Sequence, residues 1–245
     1  MLVGALAAAD IVGIWELGSH RPDWSKALIA LGPALPDAEP SELAAMSVGE
    51  RNAHLLSLRR AIIGPVMHAV VKCPLCVEPL EFEQHIDEWL DDYAPPISGE
   101  FAFVSGDYAA RYRLLNTGDL AYAAECETEP NARQALAERA VVELSRAGEV
   151  IGAQDLPPEV CDALAREIAD RDPLAHLAIP LACVACEHVW SATLQIVPFL
   201  WLELERKAKQ LLEDVVVLAR AYGWGEGEIL EMAPARRQFY LDSIG

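Results

Sequence analysis

Basic residues are scarce in this 245-residue chain. Nineteen Lys and Arg stand against 38 Asp and Glu, which leaves a net charge of −19. Nucleic-acid phosphates are held by clustered Lys and Arg, so this composition opposes a DNA or RNA partner. Long apolar runs are missing as well, and no stretch reaches the roughly 20 residues that cross a bilayer. Met1-Leu-Val-Gly4 carries no basic residue and Asp10 soon interrupts the apolar run, so no secretory signal is expected. Catalytic signatures are also absent: there is no H-E-x-x-H, no P-loop, no G-x-S-x-G and no specific Cys/His pairing. The expectation is a protein that is not an enzyme, works in a reducing cytoplasm and binds other proteins through their basic patches.

What is present is a globular composition, 53% apolar and 23% charged, long enough for one large core or two modest ones. Two C-x-x-C hooks organise it, Cys73-Pro-Leu-Cys76 and Cys183-Val-Ala-Cys186. Each leads into a strand-like run, Glu78–Phe82 and His188–Ile196. Four thiolates satisfy a closed tetrahedral zinc site, and two intervening residues let both sulfurs of a hook reach one ion. Between the hooks lie 106 residues, against about 15–20 in a compact ribbon. A single ion would therefore require the intervening segment to leave the ribbon and return.

Other uses of the cysteines fit less well. A redox pair calls for one hook beside a βαβ pattern, and disulfides suit secreted chains. Structural zinc on Cys73, Cys76, Cys183 and Cys186 is the leading reading, and a metal-free ribbon stays open. The reason is that Val77 and Glu187 stand where such turns usually carry glycine, and a β-branched residue resists positive φ. His68, His85, His176 and His188 flank the hooks as substitute ligands; Cys126 and Cys161 read as small buried hydrophobes.

The fold class read from the pattern is α+β and mainly helical. A zinc-ribbon-like β core carries a long α+β insertion, with N-terminal helices before it and a long C-terminal helix with two short ones behind. Residues 1–66 form the helical region, with Leu2, Leu6, Ala9, Ile11, Ile14, Trp15 and Leu17 toward one face and Gly18 as a stop. Ser47 and Glu50 have capping-box spacing ahead of a helix bearing Arg51, Arg59 and Arg60. That basic face is either ion-paired within the chain or a dock for an acidic neighbour. The ribbon-like module spans 67–197, as 67–83 plus 176–197, around an inserted subdomain at 84–175. In the insertion, Phe101–Val104 and Tyr108–Leu114 flank Ser105-Gly106-Asp107 as a hairpin, and Asn131–Arg146 has helical periodicity.

Residues 198–245 contain the longest element, a helix over about 199–222. Its Trp201, Leu204, Ala208, Leu211, Val215, Leu218 and Tyr222 recur at alternating spacings of three and four. The seam packs either on the N-terminal helices or on a second chain. Gly223 ends it, and short helices follow near Glu226–Met232 and from Pro234. Trp201, Tyr222, Trp224, Arg236, Arg237 and Tyr240 have the composition of a partner-binding patch, against the alternative that the aromatics merely fold the tail onto the long helix.

Four stretches in order give the chain a resemblance. They are Ile14-Trp-Glu-Leu-Gly18 with Lys26-Ala-Leu28; Gly49-Glu-Arg-Asn-Ala-His-Leu-Leu-Ser-Leu-Arg59 to Gly64-Pro65; the two hooks with their insertion; and Ala221-Tyr-Gly-Trp224 with Glu228–Met232 and Arg236-Arg237 to Leu241. Together they resemble the baseplate hub assembly chaperones of contractile-tailed phages and related contractile injection systems, most weakly over 84–170. The resemblance implies a non-enzymatic baseplate component or chaperone that binds hub, wedge or spike-proximal subunits, either transiently or retained in the particle. A zinc-ribbon regulatory or adaptor protein of the bacterial cytoplasm is the alternative.

Overall fold

A computed structural model describes residues 6–96 and 99–244 of the chain. It is α+β and mostly helical, with three small antiparallel sheets. Four helices open the chain: α1 (Ala8–Gly18), α2 (Asp23–Ala34), α3 (Pro40–Ala45) and α4 (Val48–Ile62). Of the face assigned above to the first helix, Leu2 lies outside the described residues, and Ala9 and Leu17 are exposed, because they point away from the side of α1 that packs in the core. Ser47 caps α4 by accepting the Glu50 amide at 3.1 Å, which is one half of the capping box its spacing indicated.

These helices are too short to bury their own apolar faces. They pack instead on α9 (Ile196–Tyr222), whose 27 residues make about 40 Å of rod. Leu200, Trp201, Leu204, Ala208, Leu211, Val215 and Leu218 form its buried stripe, shared with Ile14, Leu31, Leu55 and Leu58. The seam is thus filled within the chain, as one of the two readings held. Tyr222 departs from it and is 40% exposed. The helix also starts three residues earlier than its pattern indicated. Pro198 sits in the first turn, where a missing N–H breaks no intrahelical bond.

Gly18 has a second use beyond ending α1. The Trp201 ring lies against it, and a Cβ there would run into the indole. Gly223, at φ 73°, closes α9 in the left-handed conformation that glycine adopts freely.

From α4 the chain enters β1 (Val66–Lys72) and returns as β2 (Pro79–His85); much later β7 (Leu177–Ala182) and β8 (Val189–Leu194) repeat the arrangement. Each hairpin is a separate two-stranded sheet. Between them, after a single turn α5 (Asp87–Leu90), come β3 (Phe101–Ser105), β4 (Tyr108–Tyr112), α6 (Thr117–Ala123), α7 (Glu129–Ala140), β5 (Val141–Arg146), β6 (Glu149–Ile151) and α8 (Pro158–Arg171).

The sheet β3-β4-β5-β6 is an antiparallel meander with α7 and α8 on it, and it has its own core around Tyr112, Ala140, Leu144 and Leu164. Here the helix expected over 131–146 needs correction. It ends at Ala140, and Val141–Arg146 pair with β4. Val141 and Val142 are β-branched and suit a strand. Ala147 and Gly148 then turn the chain with φ of 50° and 88°, a tight hairpin that the sequence reading missed. After α9, α10 (Glu226–Leu230) and α11 (Pro234–Ile244) fold back on its C-terminal end.

Candidate metal centre

Each hook is the tip of a hairpin. The Cys73 amide donates to the Glu78 carbonyl and the Val77 amide to the Cys73 carbonyl, both at 2.9 Å. Cys183 with His188, and Glu187 with Cys183, repeat those bonds at the same length. The tips therefore have one design, and it needs a left-handed residue after the second cysteine. Val77 (φ 65°) and Glu187 (φ 59°) adopt that conformation without being glycine. The absent glycines, which had left a metal-free ribbon open, therefore do not prevent the turn. They impose local backbone strain, of order 1–2 kcal/mol for such residues.

The two tips face each other. All four sulfurs lie within 4.8 Å of one another, with Cys73 to Cys186 at 3.7 Å and Cys76 to Cys183 at 3.5 Å. These separations far exceed a disulfide bond, and all four cysteines are free thiols. Cys73 and Cys183 are buried among Leu80, Val71 and Trp190, and Cys76 is exposed. Such a cluster can hold one metal ion.

Its protons are unevenly held. Burial opposes a Cys73 thiolate, but the amides of Cys76 and Leu75 and the neighbouring thiols outweigh it and bring this group down to about 7. At Cys76 the Glu78 amide favours the thiolate, yet contact with the sulfurs of Cys186, Cys183 and Cys73, together with burial, pushes it up to about 12. Cys73 is thus the readier of the two to ionise, as expected when thiols share a small volume.

None of the flanking histidines joins this group among the described residues. His68 meets Glu83 at 3.1 Å, and His188 stacks on Trp190 with centroids 5.8 Å apart. Cys161 is buried as expected, while Cys126 is only partly so.

The residues assigned to partner binding divide. Tyr222, Trp224 and Tyr240 come together, with Tyr222 stacked on Trp224 at 4.5 Å and Tyr240 edge-on to Trp224 at 4.8 Å. Arg236 lies over the Tyr240 ring, and Phe239 beside it is 66% exposed. Two other residues require correction. Trp201 is 6% exposed and belongs to the main core. Arg237 is turned inward onto Asp214 at 3.2 Å. Neither offers a surface to a partner.

The basic face read on α4 is largely internal, with Arg51 and Arg59 buried and Arg60 exposed. Arg59 makes a two-pronged pair with Glu203 of α9, at 2.9 and 2.8 Å, and Arg60 meets Asp87 at 2.7 Å. Arg51 is buried and lacks a carboxylate partner among the described residues. The reading as a dock for an acidic neighbour therefore fails for Arg59, which is buried, while Arg60 is exposed.

Two buried carboxylates went unnoticed in the sequence. Asp119, fully buried, accepts from Arg113 (2.6 and 2.9 Å), Arg139 (2.7 Å) and the Asn116 amide (2.9 Å). Asp172 accepts from the Gly49 amide at 2.9 Å and the Ser47 hydroxyl at 3.2 Å. A Cβ on Gly49 would collide with that carboxylate. Asn116, which caps α6 by accepting the Asp119 amide at 3.1 Å, is the local element beside the first of them.

No protein-family model, curated protein or solved structure matches this chain. No helix among the described residues is long and apolar enough to cross a membrane.

Proposed function

We propose that the four cysteines hold a structural zinc ion in a ribbon-like clip, and that the protein is an assembly module of a phage-tail-like baseplate. In this reading it binds hub, wedge or spike-proximal subunits and performs no chemistry of its own. Zinc–thiolate bonds of about 2.3 Å set tetrahedral sulfur–sulfur edges near 3.8 Å. The separations of 3.5 and 3.7 Å are close to that value. Four thiolates close the coordination shell and leave no position for a substrate. Structural zinc sites contribute roughly 10–16 kcal/mol in small peptides, comparable to the whole stability of a domain. The clip would fix the angle between the two hairpins, and with it the placement of the inserted sheet relative to the helical bundle.

The observation that carries the functional reading is the pairing of the four-cysteine cluster with an exposed aromatic and arginine patch at the C-terminal end of α9. Tyr, Trp and Arg dominate interface hot spots. Such a patch, on a chain of net charge −19, suits a protein partner with basic surroundings. The resemblance to baseplate assembly proteins supplies the kind of partner.

The test is co-purification of the tagged chain from cells expressing the neighbouring tail genes. Recovery of a hub, wedge or spike-proximal subunit, lost on Trp224→Ala in a folded variant, supports the reading. Recovery of none, or undiminished recovery by the variant, removes it.

A further inference from the structure

A cleft of about 410 Å³ lies where α2, α4 and the first turn of α9 meet, a size typical of small-ligand sites. Arg51 lines it although only 4% exposed. Its guanidinium donates to neutral oxygens, Asn52 Oδ1 at 2.9 Å and, at a long 3.4 Å, Thr117 Oγ1. Burial pulls this guanidinium down to about 10, and the carboxylate of Asp172 acts on it in the opposite sense. Asp172 is already committed to Gly49 and Ser47 and makes no ion pair with Arg51. A buried cation without a direct ion pair is costly.

The opposite wall supplies a second positive feature. The 27-residue α9 has no side-chain cap and no acidic residue in its first turn. Pro198 has no N–H, and the Phe199 amide already bonds the Gln195 carbonyl at 3.1 Å. Ile196 and Val197 are left with amides at the positive end of the longest helix dipole in the molecule. Elsewhere the lining is mixed: Trp24, Leu120, Ala124 and Val48 are apolar, and His176, Thr193 and Gln195 are polar. The one carboxylate lining the cleft among the described residues is Asp23, which faces Lys26 at 3.3 Å.

We infer that this cleft binds an organic carboxylate carried on an apolar body, with the Arg51 guanidinium and the amides of Ile196 and Val197 receiving the carboxylate. A guanidinium fork matches a carboxylate, and Trp24, Leu120, Ala124 and Val48 offer an apolar body a surface. The C-terminal residue of a polypeptide and a free apolar acid present the same chemistry. The inference stands apart from the metal clip and the aromatic patch.

The experiment is an amide-resolved NMR titration of the full zinc-loaded chain with N-acetylphenylalanine, its carboxamide and inorganic phosphate. Expected are saturable shifts at Ile196 and Val197 with the acid and at least ten-fold weaker binding of carboxamide and phosphate. An acetylated tripeptide ending in phenylalanine separates the sources: tighter binding than the single residue assigns a chain terminus, weaker binding a small acid. Arg51→Gln should abolish binding. Because that substitution falls in a buried network, Ala124→Phe provides a second test: it fills the cleft from an exposed position and should do the same with the fold intact. Equal shifts from acid and carboxamide, no shifts at all, or normal binding by Ala124→Phe would overturn the inference.

Discussion

The sulfurs of Cys76 and Cys183 stand 3.5 Å apart although 107 positions separate them in the chain. This contact ties two hairpins from either side of the insertion to one point. A chain can hold such a contact by metal coordination or by the packing around it, and these differ in what happens when the ligands are altered.

Metal analysis of the purified chain should give one zinc per molecule, and chelation or Cys76→Ser should lower the thermal midpoint markedly. A loss of 3 kcal/mol or more is expected, given the size of structural zinc contributions. An unchanged midpoint in the metal-free protein would show that packing alone holds the hairpins.

Val77→Gly should relieve the left-handed strain at the first tip, where φ is 65°. The gain of about 1–2 kcal/mol is partly offset by the greater unfolded-state freedom of glycine, about 0.5–1 kcal/mol. The net result is a stabilisation of up to roughly 1 kcal/mol, read by urea unfolding. Gly18→Ala should instead destabilise, because its Cβ meets the Trp201 ring.

Glu203→Ala should be among the most damaging single changes outside the clip. It strands Arg59, whose side chain is 4% exposed, and breaking such a pair from one side costs about 3–5 kcal/mol. Double substitution of Arg59 and Glu203 by apolar residues should recover much of that loss, as a double-mutant cycle would show.

The two buried carboxylates should answer pH with opposite signs. Burial works against ionisation of Asp119, but Arg113, the Asn116 amide and Arg139 outweigh it and hold the carboxyl below its usual value. Its contribution is therefore present above the ordinary carboxylate range near 4 and is lost as pH falls through the lowered folded value. Burial holds Asp172 above its usual value despite the Gly49 amide, the Ser47 hydroxyl and Arg51. Its ionisation penalty is full above that raised value and relieved as pH falls. Asp119→Asn should cost about 2 kcal/mol at pH 7 and progressively less in acid. Unfolding free energies of both Asn variants across pH 3–7 check the signs.

Phe239→Ser should leave stability within about 0.5 kcal/mol, since the ring is 66% exposed, yet reduce partner recovery ten-fold if the C-terminal patch is an interface. Equal recovery would assign the aromatics to folding the tail alone.

Local chemistry determined much of this protein before any coordinates. Apolar spacing marked α9 and its seam, Ser47 marked the start of α4, and the doubled C-x-x-C marked both hairpin tips, because those signals depend only on neighbours in sequence. Only the tertiary structure decided the rest. Strand pairing with β4 gave Val141–Arg146 a strand rather than the helix its spacing allowed. Ion pairs such as Arg59 with Glu203 join residues 144 positions apart, and Asp172 reaches Gly49 across 123. Such contacts depend on which surfaces the folded chain brings together, and a periodic pattern shows that a face is buried without saying what buries it.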